Sequence, residues 1–239
     1  DLTDFIPWVR SWGADVEVVG PERLRMQMTS QSRRLAALYG ALGDVPRYQM
    51  LWAKTSKDRS QTHALICHLI DVAQVALTMW NAVLPSSVRA QFATALGLEE
   101  AAAGKAIAFW AGLHDLGKAS PAFQRKYKPA QSTLTEAGLP FPKVFVRESF
   151  WHGAASTHAL VPLLQSETGL QRPLAKKVAR ALGGHHGAWP LSSDLQGLKS
   201  TQLGGEAWDA VRLELFRALA DLLTPPRIER IGTTVEEQN

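Results

Sequence analysis

The stretch His114-Asp115-Leu116-Gly117-Lys118 decides how this chain is organised. It follows the apolar run 106–113, whose spacing predicts a helix that is buried on most sides. A histidine and an aspartate at the end of a buried helix are costly unless a cation or a partner compensates them. We predict that Gly117 ends the helix as a left-handed cap and that Lys118 lies just outside the pocket as a positive charge. The alternative is a core histidine beside a capping aspartate.

A second candidate ligand lies on a strongly patterned helix that is predicted from Thr62 to Trp80. Leucines and small apolar residues form its buried stripe, and His68 lies at the inner edge of that stripe. Asp71 follows within one turn, and we expect it to orient the ring of His68 from the second shell.

Two further segments supply histidines at the ends of predicted helices. His152 opens one helix, and Ser156 lies one turn later on the same face, where we expect its hydroxyl group to support the ligands by a hydrogen bond. His185 and His186 follow another helix and are bracketed by glycines, which allow close backbone approach. The alternative for this pair is two solvated histidines in a loop.

The positions of these histidines predict a metal centre. Facing helices of a bundle can bring imidazoles and a carboxylate together on metal. Imidazole with carboxylate and no thiolate suits Mn, Fe, Co, Ni or Zn rather than Mg or Ca. An aspartate that bridges two divalent ions builds a phosphodiester hydrolysis site, in which water is activated and Lys118 meets the charge that develops on phosphorus. The predicted ligands are His68, His114, Asp115, His152, His185 and His186.

Composition places the chain among soluble globular proteins, with 46% hydrophobic and 20% charged residues. The net charge of +4 suits a polyanionic partner such as nucleic acid. Within the basic, aromatic segment 121–128, Arg125, Lys126 and Lys128 are candidate contacts to a nucleic-acid strand, since cations meet phosphates and rings stack on bases. A solvated helix face is the alternative for this segment.

The single cysteine and the hydropathy pattern indicate the cellular compartment. Cys67 excludes an internal disulfide and fits a reducing compartment, so we expect a cytoplasmic protein. No window approaches the apolar length that crosses a membrane, so no membrane partner is expected.

Two domains are predicted. Residues 1–48 form an N-terminal extension with a strand over 16–19 and a helix from Glu22 to Tyr39, and residues 49–239 form the main domain. Within the main domain we expect a long surface loop over 130–143 and a kink or break near Ala159, before Pro162. Both ends of the chain look cut from something longer.

The order of five motifs resembles the HD nuclease domain of the CRISPR-associated helicase–nuclease of type I systems, over residues 50–226. The motifs are "WAKT" at 52–55, "HLID" at 68–71, "HDLGK" at 114–118, "HGAAS" at 152–156 and "GGHHG" at 183–187. The resemblance implies an all-α fold, the helical bundle of the HD superfamily, with a dinuclear transition-metal centre on the six ligands named above. It also implies cleavage of single-stranded DNA and recruitment by an RNA-guided surveillance complex that displaces that strand.

This sequence departs from the family in one respect. The family takes a last aspartate ligand from a helix after the one predicted here over 207–223, so we expect the main domain to be truncated before that ligand. Asp221 fits the pattern only superficially. No phosphate-cradling helicase motif is present, so a helicase partner is expected on a separate or removed part of the protein.

The N-terminal residues show a second resemblance. The stretch 12–25, with its "WG…EV…P…LR" pattern, is similar to the C-terminal end of WYL-domain regulators, a family of bacterial transcription factors. An unrelated strand–helix extension is the alternative.

Three functions remain open from the sequence. The first is a metal-dependent nuclease for single-stranded DNA. The second is an HD phosphohydrolase for nucleotides or cyclic nucleotides, which a deep closed pocket favours over an open groove. The third is a non-catalytic DNA-associated regulator, which requires no bound metal.

Overall fold

The computed structural model describes residues 9, 16–38, 45–143 and 150–228, and for 30, 31 and 33–38 the backbone alone. The chain divides into two compact units, Asp1–Val45 and Pro46–Asn239. In the first unit the predicted helix is present as α1, Glu22–Leu38. The predicted strand is wrong, because residues 16–19 form none and no described segment of this unit pairs with them. The domain boundary at residue 48 and the truncation stay predictions.

The second unit begins with a short 3₁₀ helix, Arg47–Met50, which is followed by a hairpin and then by helices. Strand β1 pairs antiparallel with β2, with Lys54 opposite His63. The elements in chain order are β1 Trp52–Thr55, β2 Thr62–Ala64, α2 Leu65–Ala82, α3 Ser86–Leu96, α4 Glu100–Gly112, the central 3₁₀ helix Leu113–Lys118, α5 Pro121–Gln124, α6 Gln131–Glu136, α7 His152–Thr168, α8 Arg172–Gly183, α9 Ser192–Gln196, α10 Ser200–Leu203 and α11 Glu206–Leu223.

The core forms around α4, as the apolar run predicts. Phe109 of α4 is buried edge-on against Phe216 of α11, with ring centroids 5.2 Å apart. On another face the indole of Trp80 covers Gly104, where a Cβ would lie only 2.7 Å from the ring. Small residues therefore let α2 approach α4 closely, and this packing fixes the end of α4 next to α2.

The all-α prediction is confirmed, and three local expectations are wrong. Residues 62–64 pair with β1, so α2 begins at Leu65 rather than at Thr62. The expected surface loop contains α6, because Leu134 and Leu139 are fully buried and anchor it to the core. Helix α7 continues from His152 to Thr168 through Pro162, so the expected break is wrong, while a kink stays a prediction.

The hydropathy expectation also needs correction. Helix α2 is 18 residues long with a mean hydropathy of 1.3, which passes the length and composition test for a membrane span, and 28% of it is buried within the protein. This test is weak for one helix, since core helices pass it as well. The same helix carries Leu69 and Ala73 into the core beside His68.

Candidate metal centre

Asp115 occupies the centre of the site because α4 changes conformation immediately before it. The helix ends at Gly112 and continues as the central 3₁₀ helix, in which Asp115 has φ −102° and ψ 15°. This bridge-region conformation is frequent at active sites. The Asp115 side chain is buried, only 3% of the residue being exposed.

One carboxylate oxygen of Asp115 faces two histidines from different helices. Oδ2 lies 2.8 Å from Nε2 of His68 on α2 and 3.1 Å from Nε2 of His114. The other ring nitrogen of His114, Nδ1, hydrogen-bonds to the carbonyl oxygen of Ala111 at 2.9 Å, which fixes the ring so that Nε2 faces the carboxylate.

The other oxygen faces the histidines of α7 and of the segment after α8. Oδ1 lies 3.1 Å from Nε2 of His152 and 3.3 Å from Nε2 of His185. Nε2 of His186 lies 3.0 Å from Nε2 of His152, so three imidazoles converge here. Nδ1 of His185 hydrogen-bonds to the carbonyl oxygen of Leu182 at 2.7 Å. The structure thus brings all six sequence-predicted ligands together around one carboxylate.

The donor atoms fit divalent transition-metal ions. Two ligand atoms about 2.1 Å from one ion, at angles of 90° to 109°, lie about 3.0 to 3.4 Å apart, and the nitrogen–oxygen distances above fall close to this range. The buried Oδ1 of Asp115 has no hydrogen-bond partner of good geometry among the described residues. A buried carboxylate oxygen in that condition is costly unless a cation meets it.

Electrostatics keep the central carboxylate ionised. Burial raises the pKa of Asp115, but its interactions with the surrounding imidazoles outweigh burial and hold the pKa far below its usual range. Burial lowers the pKa of His185, yet the contacts with Asp115 and with the Leu182 carbonyl group raise it overall. The pKa of His186 is lowered, by burial and by the neighbouring His185 and His152. A charged carboxylate and imidazoles are suitable ligands for a divalent ion.

Close contacts hold three of the four histidine-bearing segments together. Gly117 has no left-handed conformation, contrary to expectation, and its value lies in its missing side chain. A Cβ at Gly117 would overlap the carbonyl oxygen of His152 and the amide nitrogen of Ser156. The amide of Gly117 donates to Oγ of Ser156 at 2.8 Å, so Ser156 ties α7 to the central 3₁₀ helix. Gly183 approaches α7 equally closely, at the carbonyl oxygen of Gly153.

Two sequence predictions about neighbouring charges need correction. Lys118 is buried inside the site rather than just outside it, with Nζ 2.6 Å from Oδ2 of Asp115, because the 3₁₀ turn directs both side chains the same way. Asp71 lies within 2.8 Å of Nε2 of His63 instead of contacting His68. The hairpin, which the sequence analysis missed, positions His63 for that contact.

The predicted nucleic-acid contacts differ in their surroundings. Nζ of Lys126 lies 4.9 Å from the ring centroid of Phe123, whose ring lies 5.9 Å from that of His152. Burial and the nearby Lys118 lower the pKa of Lys126. Lys128 is exposed and Arg125 half-buried. Lys126 is therefore the member of this group that borders the metal centre.

A fully buried glutamine, which the sequence analysis did not single out, supports this border. Gln124 accepts a hydrogen bond from the amide of Trp52 at 3.2 Å and donates to the carbonyl oxygens of Trp52 and Lys118 at 2.8 Å and 3.0 Å. It thereby joins strand β1 to the end of the central 3₁₀ helix. Its position after Phe123 in a basic segment gave no signal of this role.

Solved structures share this fold. A structure described as a CRISPR-associated protein is 36% identical, with a TM-score of 0.70 over 79% of this chain and 21% of that chain. The T. fusca Cas3 structure with AMPPNP is 30% identical, with a TM-score of 0.63 over 78% of this chain and 21% of its own. The Thermus thermophilus Cas3 HD domain, crystallised in the presence of Ni2+, is 30% identical, with a TM-score of 0.56 over 75% of this chain and 67% of its own.

Sequence comparisons agree with the structural ones. The CRISPR-associated endonuclease/helicase Cas3 of Thermus thermophilus is 36% identical over 181 residues, which are 73% of this chain and 19% of that protein. The chain thus spans about a fifth of the length of this curated relative. The WCX domain model matches residues 1–36, the segment for which a WYL-type resemblance was predicted. The model of the Cas3 HD domain matches residues 52–234, and the chain belongs to that family.

Proposed function

We propose that this chain is a metal-dependent nuclease that cleaves single-stranded DNA in type I CRISPR interference. The proposed ligands of two divalent transition-metal ions (Mn, Fe, Co or Ni, with Zn also suitable) are His68, His114, Asp115, His152, His185 and His186. Asp115 is the proposed bridging ligand, and Lys118 the cation that faces the phosphate.

One observation carries the proposal: a single buried carboxylate presents one oxygen to each of two histidine groups. Oδ2 of Asp115 faces His68 and His114, and Oδ1 faces His152 and His185. Oδ1 is buried with two imidazole nitrogens at 3.1 and 3.3 Å but without a hydrogen bond of good geometry to any described residue, a condition that a cation would relieve. A bridging role between two cations explains both features.

The residues of the chain have separate roles in the proposed hydrolysis. When bound, the ions supply an activated water molecule and stabilise negative charge on the reacting phosphate. Asp115 and the imidazoles would hold the ions where α2, the central 3₁₀ helix, α7 and the segment after α8 meet, in a site whose inner half is buried. The Lys118 ammonium, held 2.6 Å from Asp115, supplies a further positive charge for the phosphate oxygens.

The proposed partners follow from the relatives. A related structure, 30% identical with a TM-score of 0.61, is described as a CRISPR RNA-guided surveillance complex, pre-nicking. The curated relative is named an endonuclease/helicase. We therefore propose that this domain acts on a strand exposed by an RNA-guided complex, in the cytoplasm, together with a helicase part of the same or a separate polypeptide.

The test is nicking of a single-stranded DNA circle by the purified chain, with metal content measured in parallel by elemental analysis. We expect cleavage with Mn or Ni, and loss of both cleavage and metal in Asp115→Ala. Asp71→Ala serves as a control, because Asp71 contacts His63 outside the ligand set. Retained cleavage in Asp115→Ala would contradict the proposal.

A nucleotide phosphohydrolase is the second candidate, and the exposure of the site argues against it. His186 is exposed and 19% of the His185 side chain is accessible, so this side of the centre opens to solvent rather than into a closed pocket. An open site suits a polymer. Turnover of cyclic nucleotides without DNA cleavage would favour the phosphohydrolase, and absence of metal would favour the non-catalytic regulator.

A further inference from the structure

A row of exposed cations runs along α8 toward the metal centre. Arg172, Lys176, Lys177 and Arg180 are all exposed, and the helix contains no acidic residue. At 100° per residue they lie within an arc of about 140°, which begins beside the buried alanines of this helix and extends away from them. None of the four forms an ion pair with any described residue, so their charge is available to an anionic partner.

The same helix ends at the ligands. His185 and His186 come directly after Gly183, the last residue of α8, and Gly184 still donates to the carbonyl oxygen of Arg180 at 3.1 Å. From Arg172 to Arg180 the rise is about 12 Å, the axial length of three to four stacked nucleotides. The row is therefore as long as a short stretch of single-stranded nucleic acid and ends at the exposed half of the metal centre.

An exposed tryptophan stands at the end of this row. The amide of Gly187 donates to the carbonyl oxygen of Gly184 at 2.9 Å, and Gly187 has φ +82°, so the chain reverses after the histidines. The reversal brings Trp189 back over Gly184, where a Cβ would lie 2.8 Å from Cε3 of the indole. One side of the ring is thus held by backbone, while 57% of the residue remains exposed.

We propose that the α8 track, defined as Arg172, Lys176, Lys177, Arg180 and Trp189, binds a single strand of DNA and guides it to the centre. The cations contact successive phosphates, and the indole stacks on a base next to His185 and His186. This inference rests on the proposed function for its substrate. A single strand is the favoured occupant because a stacking platform requires an unpaired base face, which a duplex buries.

The test measures binding in EDTA, where cleavage does not occur, so the track is assessed even if the proposed function fails. The probes are a dT oligomer of about 12 nucleotides, an abasic oligomer of equal length and a duplex. The variants are Trp189→Ala, Trp189→Phe and the double variant Lys176→Glu/Arg180→Glu. The matched control is Lys105→Glu. Lys105 is exposed on α4 and precedes His114 by as many residues as Lys176 precedes His185.

We expect Trp189→Ala to weaken dT binding about five- to 150-fold and to leave binding of the abasic oligomer unchanged. Trp189→Phe restores most of the dT affinity, which a merely structural role of the indole does not predict. The double variant weakens both oligomers and lowers the salt slope by about 1.4, since each phosphate contact on a single strand contributes about 0.7.

Three results would overturn the track. The first is an equal loss with Lys105→Glu, which would indicate a diffuse charge effect. The second is dT affinity unchanged by Trp189→Ala. The third is duplex binding as tight as single-strand binding. Failure of the proposed function has a different signature: binding as expected, but no cleavage of DNA when Mn or Ni is restored.

Discussion

The substitution Gly117→Ala is expected to open the metal centre without changing any ligand side chain. The added methyl group would overlap the carbonyl oxygen of His152 and the amide nitrogen of Ser156. Both are main-chain atoms of α7, so no change of rotamer relieves the overlap and the helix itself has to move. Restoring ordinary contact distances requires a displacement of about 1 Å.

The size of the effect follows from the geometry of the ligands. Nε2 of His152 now lies 3.1 Å from Oδ1 of Asp115. Metal–ligand distances tolerate deviations of only about 0.2 Å, so a movement of about 1 Å removes His152 from a shared ion. We expect a loss of about 10- to 100-fold in affinity for Mn or Ni. Overpacking also lowers the free energy of unfolding of the metal-free protein by about 1 to 3 kcal/mol.

Calorimetric titration with Ni and urea unfolding in EDTA measure the two effects separately. Gly205→Ala is the matched control, because Gly205 has φ −95° and a Cβ there meets no atom within 4 Å. A Gly117→Ala protein that binds Ni within twofold of the wild type and unfolds at the same urea concentration would refute the close-packing argument.

Two further predictions concern protonation and a buried amide. The pKa of His185 is raised because the folded, metal-free protein stabilises the protonated imidazole. This contribution to the free energy of unfolding is present below about pH 6.5 and is lost as the pH rises through the pKa of His185 in the folded protein. Urea unfolding in EDTA is therefore expected to show a larger advantage of wild type over His185→Gln at about pH 5.5 than at about pH 8.5, and an equal or reversed advantage would contradict the assignment. Gln124→Leu removes a hydrogen-bond partner from the amide and the carbonyl oxygen of Trp52 and from the carbonyl oxygen of Lys118, which keeps the amide of Ser120 as a donor. The loss is expected to lower the free energy of unfolding by about 2 to 4 kcal/mol in urea titrations. Gln74→Leu, on an exposed face of α2, is its control and is expected to change the value by less than about 0.5 kcal/mol.

The sequence by itself determined the helical class of the main domain and the identity of the residues that meet. The local spacing of apolar residues predicts an amphipathic helix, because side chains four residues apart share one face. Histidines at helix ends, together with His114-Asp115, therefore predicted a common site before any distance was known. The motif order from "WAKT" to "GGHHG" added the family, which the match over 52–234 confirms.

Only the tertiary structure decided how the neighbours of those residues act. Asp71 is one turn from His68 in sequence, yet it pairs with His63 because an unforeseen hairpin lies beside α2. Lys118 turns inward to Asp115 because the helix tightens to a 3₁₀ turn at the site.

The role of Gly117 was also invisible in the sequence. Its missing Cβ matters because of the backbone of α7, about forty residues away, and not because of its own conformation. Helical periodicity is a local property that can be read from a short stretch of sequence. Which oxygen faces which imidazole, which cation is buried and which glycine is crowded depend on segments distant in the chain, so these features exist only once the helices have packed.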